Sequence, residues 1–234
     1  MLARAGAGTP AAYVQCPDPQ PPQIPPWAWP ARDPTRLSYL RTLLALDESV
    51  GSVVATLEGL GLASNTYVVF LSDNGLLLGE HRMGDKRLAY EESLHVPLVI
   101  AGAGLAPRRV STVALNLDLA PTALDLAGLP VPGQMQGRSL AKLLRGEPAA
   151  ARESFLYEYD PESFLPVIPE IRAIRTPGRK YVTYPEAPAD DELYDLLTDP
   201  GEMRNLAGRP EWEPARAELR QQLERLLRET GGSP

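Results

Sequence analysis

A chain of 234 residues with a net charge of −7 can bury the core of one domain, or of one domain and a small appendage. The acidic balance, with no lysine and arginine cluster, argues against a nucleic-acid-binding surface, and no run approaches the roughly 20 apolar residues of a membrane helix. Cys16 is the single cysteine, so an internal disulfide framework is excluded.

The opening MLARAGAGTP lacks the apolar core of a signal peptide. Prolines at 17, 19, 21, 22, 25, 26 and 30 then remove backbone donors, so residues 1–32 read as an irregular arm or linker, with packing the simpler role for Trp27 and Trp29. Asp33-Pro34 opens a helix, an N-cap followed by proline at the tolerated first position. Leu37, Leu40, Leu44, Val50, Val54 and Leu57 give it an apolar stripe, and Gly59 and Gly61 stop it.

The run Tyr67–Leu71 is short, apolar and rich in β-branched and aromatic residues, which predicts a strand buried on both faces, as in a parallel sheet. Directly after it come Ser72-Asp73-Asn74-Gly75, then Glu80-His81 and Asp85-Lys86-Arg87. Ligands of open α/β sheets collect at the carboxyl ends of strands, where Asp73 and Asn74 fall. A carboxylate and an amide carbonyl are hard oxygen ligands suited to calcium or magnesium, and Gly75 allows a sharp turn after them. Taken alone, Asp-Asn-Gly after a strand is more often a plain turn, and Lys86 an ordinary solvated lysine.

Further along, a helical turn at 88–94 precedes a strand at 96–101, and NLDLAPTALDLA at 116–127 reads as a helix closed by Gly128. Glu91 and Glu92 read as a polar helix face, and His95 as structural. A short helix ends near Arg145. Short strands follow at 154–159, 172–175, 180–183 and 192–196, and Trp212, Leu219, Leu223, Leu226 and Leu227 mark one face of a terminal helix.

The run SDNGLLLGEHRMGDKRLAYEESLHVPLVI resembles the second metal-binding segment of the sulfatases, in the arylsulfatase and glucosamine-6-sulfatase branch of the alkaline-phosphatase-like superfamily. DLAPTALDLAG and the later ELYDL, DP and NLAG segments resemble the same family. The resemblance implies an α/β fold, here the C-terminal part of the family's doubly wound sheet over 33–148, with a small antiparallel sheet and terminal helix over 149–234. It implies that Asp73 and Asn74 bind a divalent metal, usually calcium, and that Lys86 contacts sulfate. His81 matches a histidine found in some branches of the family and is the candidate proton donor.

The family's nucleophile, a formylglycine made from the cysteine or serine of a C/S-x-P-x-R motif, finds no counterpart here. Cys16 is followed at once by Pro17, and Gln20 stands where the arginine belongs. The family's N-terminal pair of aspartate ligands is also unmatched. The expectation is a sulfuric ester hydrolase lacking part of its site, acting on a sulfated small molecule or glycan, with no nucleic-acid or membrane partner. A missing N-terminal half, or self-association through an exposed edge of the strand at 67–72, would complete or cover it. A phosphodiesterase or phosphonate hydrolase of the same superfamily is the alternative enzyme, and a noncatalytic binding or structural module the alternative outside catalysis.

Overall fold

The computed structural model describes residues 11–14, 34–102, 104–162 and 168–231. In chain order they form β1 (Ala11–Val14), α1 (Pro34–Gly59), β2 (Tyr67–Leu71), β3 (Leu77–Leu78), β4 (Gly84–Asp85) and α2 (Glu91–Leu94). Next come β5 (Leu98–Gly102), β6 (Arg108–Val110), α3 (Leu119–Leu126) and α4 (Ala141–Arg145). The chain then forms β7 (Phe155–Tyr159), β8 (Ile171–Arg175), β9 (Arg179–Thr183), β10 (Glu192–Asp195) and α5 (Glu213–Thr230). These residues divide into two compact units, one holding 11–14, 34–73 and 96–151, the other 74–95 and 152–231.

In the first unit the strand order is β2-β5-β1-β6. The parallel setting expected of 67–71 is not found: β2 is an outer strand, antiparallel to β5 with Tyr67 opposite Gly102 and Leu71 opposite Leu98. Burial on both faces is not found either, since Val69 is 47% exposed. Five apolar residues specify neither the direction of a strand nor its place in a sheet. The link from β2 to β5 carries one helical turn, α2, rather than the long crossover helix that a parallel βαβ pair requires. Strand β1 corrects the expectation of an irregular arm at 11–14, while Cys16, Trp27 and Trp29 lie outside the described residues.

The core of this unit gathers Leu98, Ile100, Leu105, Leu140 and Leu144. On α1, Val50, Val54 and Leu57, at helical spacing, line a groove with Val68, Phe70 and Val99. The earlier leucines of the same helix are open to solvent, with Leu44 67% exposed. Asp118 lies buried just before α3 and accepts the Leu115 and Arg138 backbone N–H groups, each at 2.8 Å, tying the loop before the helix to the loop before α4.

The second unit is built on an antiparallel sheet of order β10-β9-β8-β7. Side chains of successive strand residues point to opposite faces, and here the two faces are covered by different things. Ile174, Tyr181 and Leu193 meet Leu219, Leu223 and Leu227 of α5, whose spacing of four residues places them on one helical stripe. Ala173 and Val182, pointing the other way, pack with Leu88, Ala89 and Leu94. The stretch that follows Lys86 is therefore the second covering layer of this sheet.

Candidate functional site

Strand β2 ends at Leu71, and Asp73 follows, exposed, its backbone carbonyl accepting the Asn116 amide at 3.3 Å. Asn74 is half-buried and donates its side-chain N–H to the Gly75 carbonyl at 2.8 Å. Gly75 donates its N–H to the Ser93 carbonyl at 2.8 Å. A Cβ at Gly75 would stand 1.8 Å from the Glu92 carbonyl oxygen, so no larger residue fits. Its φ lies outside the left-handed region, so close approach rather than a glycine-only turn explains this residue.

The chain then makes a small hairpin, β3 against β4, with Leu77 opposite Asp85 and Leu78 opposite Gly84. Its connection bends through Gly79 at φ 113°, His81 at φ 52° and Arg82 at φ 60°. Two successive non-glycine residues in the left-handed region cost on the order of 1–3 kcal/mol each and persist where surrounding contacts enforce them. The contacts at His81 are its stacking on Tyr90, centroids 3.8 Å apart and planes 8° off parallel, and the approach of Nε2 to within 3.7 Å of Glu92 Oε2.

The His81 side chain is 9% exposed. Burial alone would disfavour the imidazolium, but the Glu92 carboxylate, with Glu202 and Glu192 farther away, outweighs it and raises the pKa above the ordinary 6.5. The stability gained from charged His81 is therefore fully present below pH 6.5 and lost as pH rises through the folded-state pKa. In a proton NMR titration, in which only His81 and His95 contribute imidazole signals, the His81 midpoint is expected above 6.5 and to fall in Glu92→Gln. A midpoint at or below 6.5 would mean that Glu92 does not govern the ring.

Lys86 is exposed at the end of β4. The next residue, Arg87, pairs with Glu162 through Nε and Nη2 at 3.2 and 3.1 Å, and its carbonyl accepts the Tyr157 hydroxyl at 2.6 Å. Four residues after Arg87, Glu91 enters a buried charge cluster. Lys180 on β9, with its side chain 0% exposed, places Nζ 2.8 Å from Glu91 Oε1, 2.7 Å from Glu202 Oε1 and 2.7 Å from the Ala89 carbonyl. Arg175 on β8 meets Glu91 Oε2 at 3.1 Å, and Glu202 Oε2 accepts the Glu91 N–H at 2.7 Å.

Arg175 and Lys180 are direct cross-strand partners, an arrangement that repels unless an anion intervenes, and Glu91 is that anion. Burial would raise the Glu91 pKa, but Lys180 and Arg175 overcome it and hold the carboxyl at about 2. At Glu202 burial wins, with the nearby Glu91 charge adding to it, and the pKa is raised despite Lys180. Beside the cluster, Tyr184 and Tyr194 donate their hydroxyls to Glu192 at 2.8 and 2.9 Å.

Of the four residues that the sequence singles out, Asp73 closes the first unit, while Asn74, His81 and Lys86 belong to the second. Among the described residues no group of three or more His, Cys, Asp and Glu side chains gathers to hold a metal ion. Asp73 and Asn74 suit a hard cation in kind, but offer at most about three of the roughly 6–8 oxygens that calcium takes. The sequence offers Glu91 only as part of a polar helix face, since nothing near it in the chain points to Lys180 or Glu202. The one available signal is Lys180 itself, a charge directly before Tyr181 and Val182 in a short strand.

Residues 79–229 match a family model described as N-sulphoglucosamine sulphohydrolase, C-terminal, and residues 8–129 match one described as sulfatase. The chain is 39% identical over 191 residues to the N-acetylglucosamine-6-O-sulfatase of Bacteroides thetaiotaomicron, covering 80% of this chain and 34% of that protein. A solved protein in complex with its substrate D-glucosamine-2-N,6-O-disulfate superposes with a TM-score of 0.73 at 36% identity, covering 81% of this chain and 40% of that one. The phosphonate monoester hydrolase of Silicibacter pomeroyi superposes with a TM-score of 0.68 at 29% identity, over 78% and 38% of the two chains. The chain thus spans about a third of the length of that curated relative.

Proposed function

Because the chain belongs to the sulfatase family, which two family models that each match more than half of it establish, we propose that it takes part in the hydrolysis of sulfate esters. Members of the family bind a divalent metal. In this reading Asp73 and Asn74 give oxygens to that metal, calcium by the family resemblance since the donors themselves suit calcium or magnesium, and the Lys86 ammonium offsets charge on the nonbridging sulfate oxygens. The metal, when bound, would polarise the sulfate as a Lewis acid. A sulfated sugar is the substrate class favoured, since one similar structure holds a glucosamine disulfate. For His81, enclosure between Tyr90 and Glu92 favours support of the hairpin over contact with substrate.

The observation that carries this reading is the placing of Lys86, exposed directly after a short hairpin that follows Asp73 and Asn74 in the chain, within residues that both family models match. Calcium titration followed by calorimetry tests it. With an incomplete ligand set, the affinity is expected to be no tighter than about 10⁻³–10⁻⁴ M and to vanish in Asp73→Ala. An unchanged isotherm in that variant would remove Asp73 from the metal site. With no C/S-x-P-x-R nucleophile in this sequence, an aryl sulfate is expected to stay intact, and turnover that is lost in Asp73→Ala would overturn the reading of an incomplete site. The likeness to a phosphonate monoester hydrolase supports a second reading, in which an aryl phosphonate is the better ligand.

A further inference from the structure

Lys86 is exposed, yet the backbone after it is gripped at several points by the antiparallel sheet. The Arg87 carbonyl accepts the Tyr157 hydroxyl on β7 at 2.6 Å, and the Arg87 guanidinium meets Glu162. The Ala89 carbonyl accepts Lys180 Nζ on β9 at 2.7 Å. The Glu91 N–H donates to Glu202 at 2.7 Å, and the Glu91 carboxylate is shared by Lys180 and Arg175. The Arg87 and Ala89 carbonyls and the Glu91 N–H are thus all held, the first by half-buried Tyr157 and the other two by Lys180 and Glu202, each at 0% side-chain exposure.

We propose that Tyr157 and Lys180 are positioning residues for Lys86: from β7 and β9 they fix the backbone of 87–91, and with it the point from which Lys86 reaches an anionic sulfate group. The inference rests on the reading of Lys86 as the sulfate contact. Its physical basis is entropic. A lysine head sits on a flexible four-carbon stem, and ordering that stem costs affinity. A loop that also wandered would add the cost of ordering its backbone, so a backbone held in advance by groups on rigid strands lowers the total cost of binding. Sites carried on secondary structure gain their precision in this way.

The test uses the whole chain and inorganic sulfate. Its lysines are Lys86, Lys142 and Lys180, of which Lys86 and Lys142 are exposed and Lys180 is buried. Reductive ¹³C-methylation therefore gives two accessible lysine reporters beside the α-amine, with Lys86→Arg assigning the first and Lys142 serving as internal control. Sulfate, added against chloride at equal ionic strength, is expected to shift the Lys86 signal saturably and to leave Lys142 in place. Tyr157→Phe keeps the ring in the apolar layer of Ala89, Ala173 and Val182 and removes only the hydroxyl. It is expected to raise the sulfate midpoint about fivefold, the worth of one hydrogen bond, and to speed amide exchange at 87–91 by a similar factor. Glu162→Gln, at the less buried end of the grip, gives a second variant that keeps its shape.

A purely structural Tyr157 would lower the melting temperature and leave the sulfate midpoint of the folded protein where it was. A sulfate midpoint within twofold of wild type in Tyr157→Phe, whatever the exchange rate, would overturn the positioning role. A wild-type Lys86 signal that ignores sulfate would overturn the reading of Lys86 instead, and faster exchange at 87–91 in the variant would then still mark the grip as real.

Discussion

Lys180→Met is expected to cost about 3–5 kcal/mol of folding free energy, the range for removing one partner of a buried ion pair. The replacement keeps the stem and removes the ammonium. Glu91 and Glu202 then face one another without the cation that both contact at 2.7–2.8 Å, and the Ala89 carbonyl loses its donor. Since a domain is stable by only about 5–15 kcal/mol, the loss would take much of the margin. Urea denaturation followed by circular dichroism measures it. Adding Glu202→Gln restores the charge balance, leaving Arg175 with Glu91, and is expected to recover part of the loss. A single-variant cost below about 1 kcal/mol would mean that water reaches the cluster and screens it.

Gly75→Ala is expected to destabilise by about 3 kcal/mol, at the upper end for forced overpacking, because the new methyl would meet backbone rather than a movable side chain. The Glu92 carbonyl oxygen is 1.8 Å from the Cβ position and the Glu92 carbonyl carbon 2.8 Å away. Relief requires the Asn74-Gly75 turn to part from 92–93, breaking the Gly75 to Ser93 hydrogen bond. Gly51→Ala is the matched control. Gly51 lies inside α1 with nothing within 4 Å of its Cβ position, so alanine there is expected to stabilise by about 0.5–1 kcal/mol. Thermal melts of the two variants shifting in the same direction would refute the packing argument.

The parts of this molecule that the sequence reveals are those written in local periodicity. The existence of helix α1, of the strand at 67–71 and of the α5 stripe of Leu219, Leu223 and Leu227 is legible, because each carries an apolar sequence pattern over several turns or residues, although the sequence overstates the burial of the first two. The β3–β4 hairpin is not, since its connection uses His81 and Arg82 in left-handed conformations in place of an Asn-Gly or Asp-Gly signal. Strand β6 hides in Arg108-Arg109-Val110, and β1 stands in a proline-rich stretch. Asp73, Asn74 and Lys86 stand out in the sequence as a motif, whereas the charge cluster around Glu91 does not. Glu91 finds Arg175 at a separation of 84 residues and Glu202 at 111, and neither distance leaves a trace in the composition near Glu91.

That separation also orders events in time. A ribosome adds about 5–20 residues per second, so Glu91 emerges roughly 5–20 s before Glu202 exists to accept its N–H. For most of that interval, until β7–β9 are made, the Lys86 loop has its sequence but no strand to lie on, with two carboxylates at 91 and 92. The loop that follows Lys86 is thus expected to take its form only once Glu202 has followed, and a nascent chain halted before Tyr157 and Lys180 would expose Leu88, Ala89 and Leu94 as an uncovered apolar ribbon.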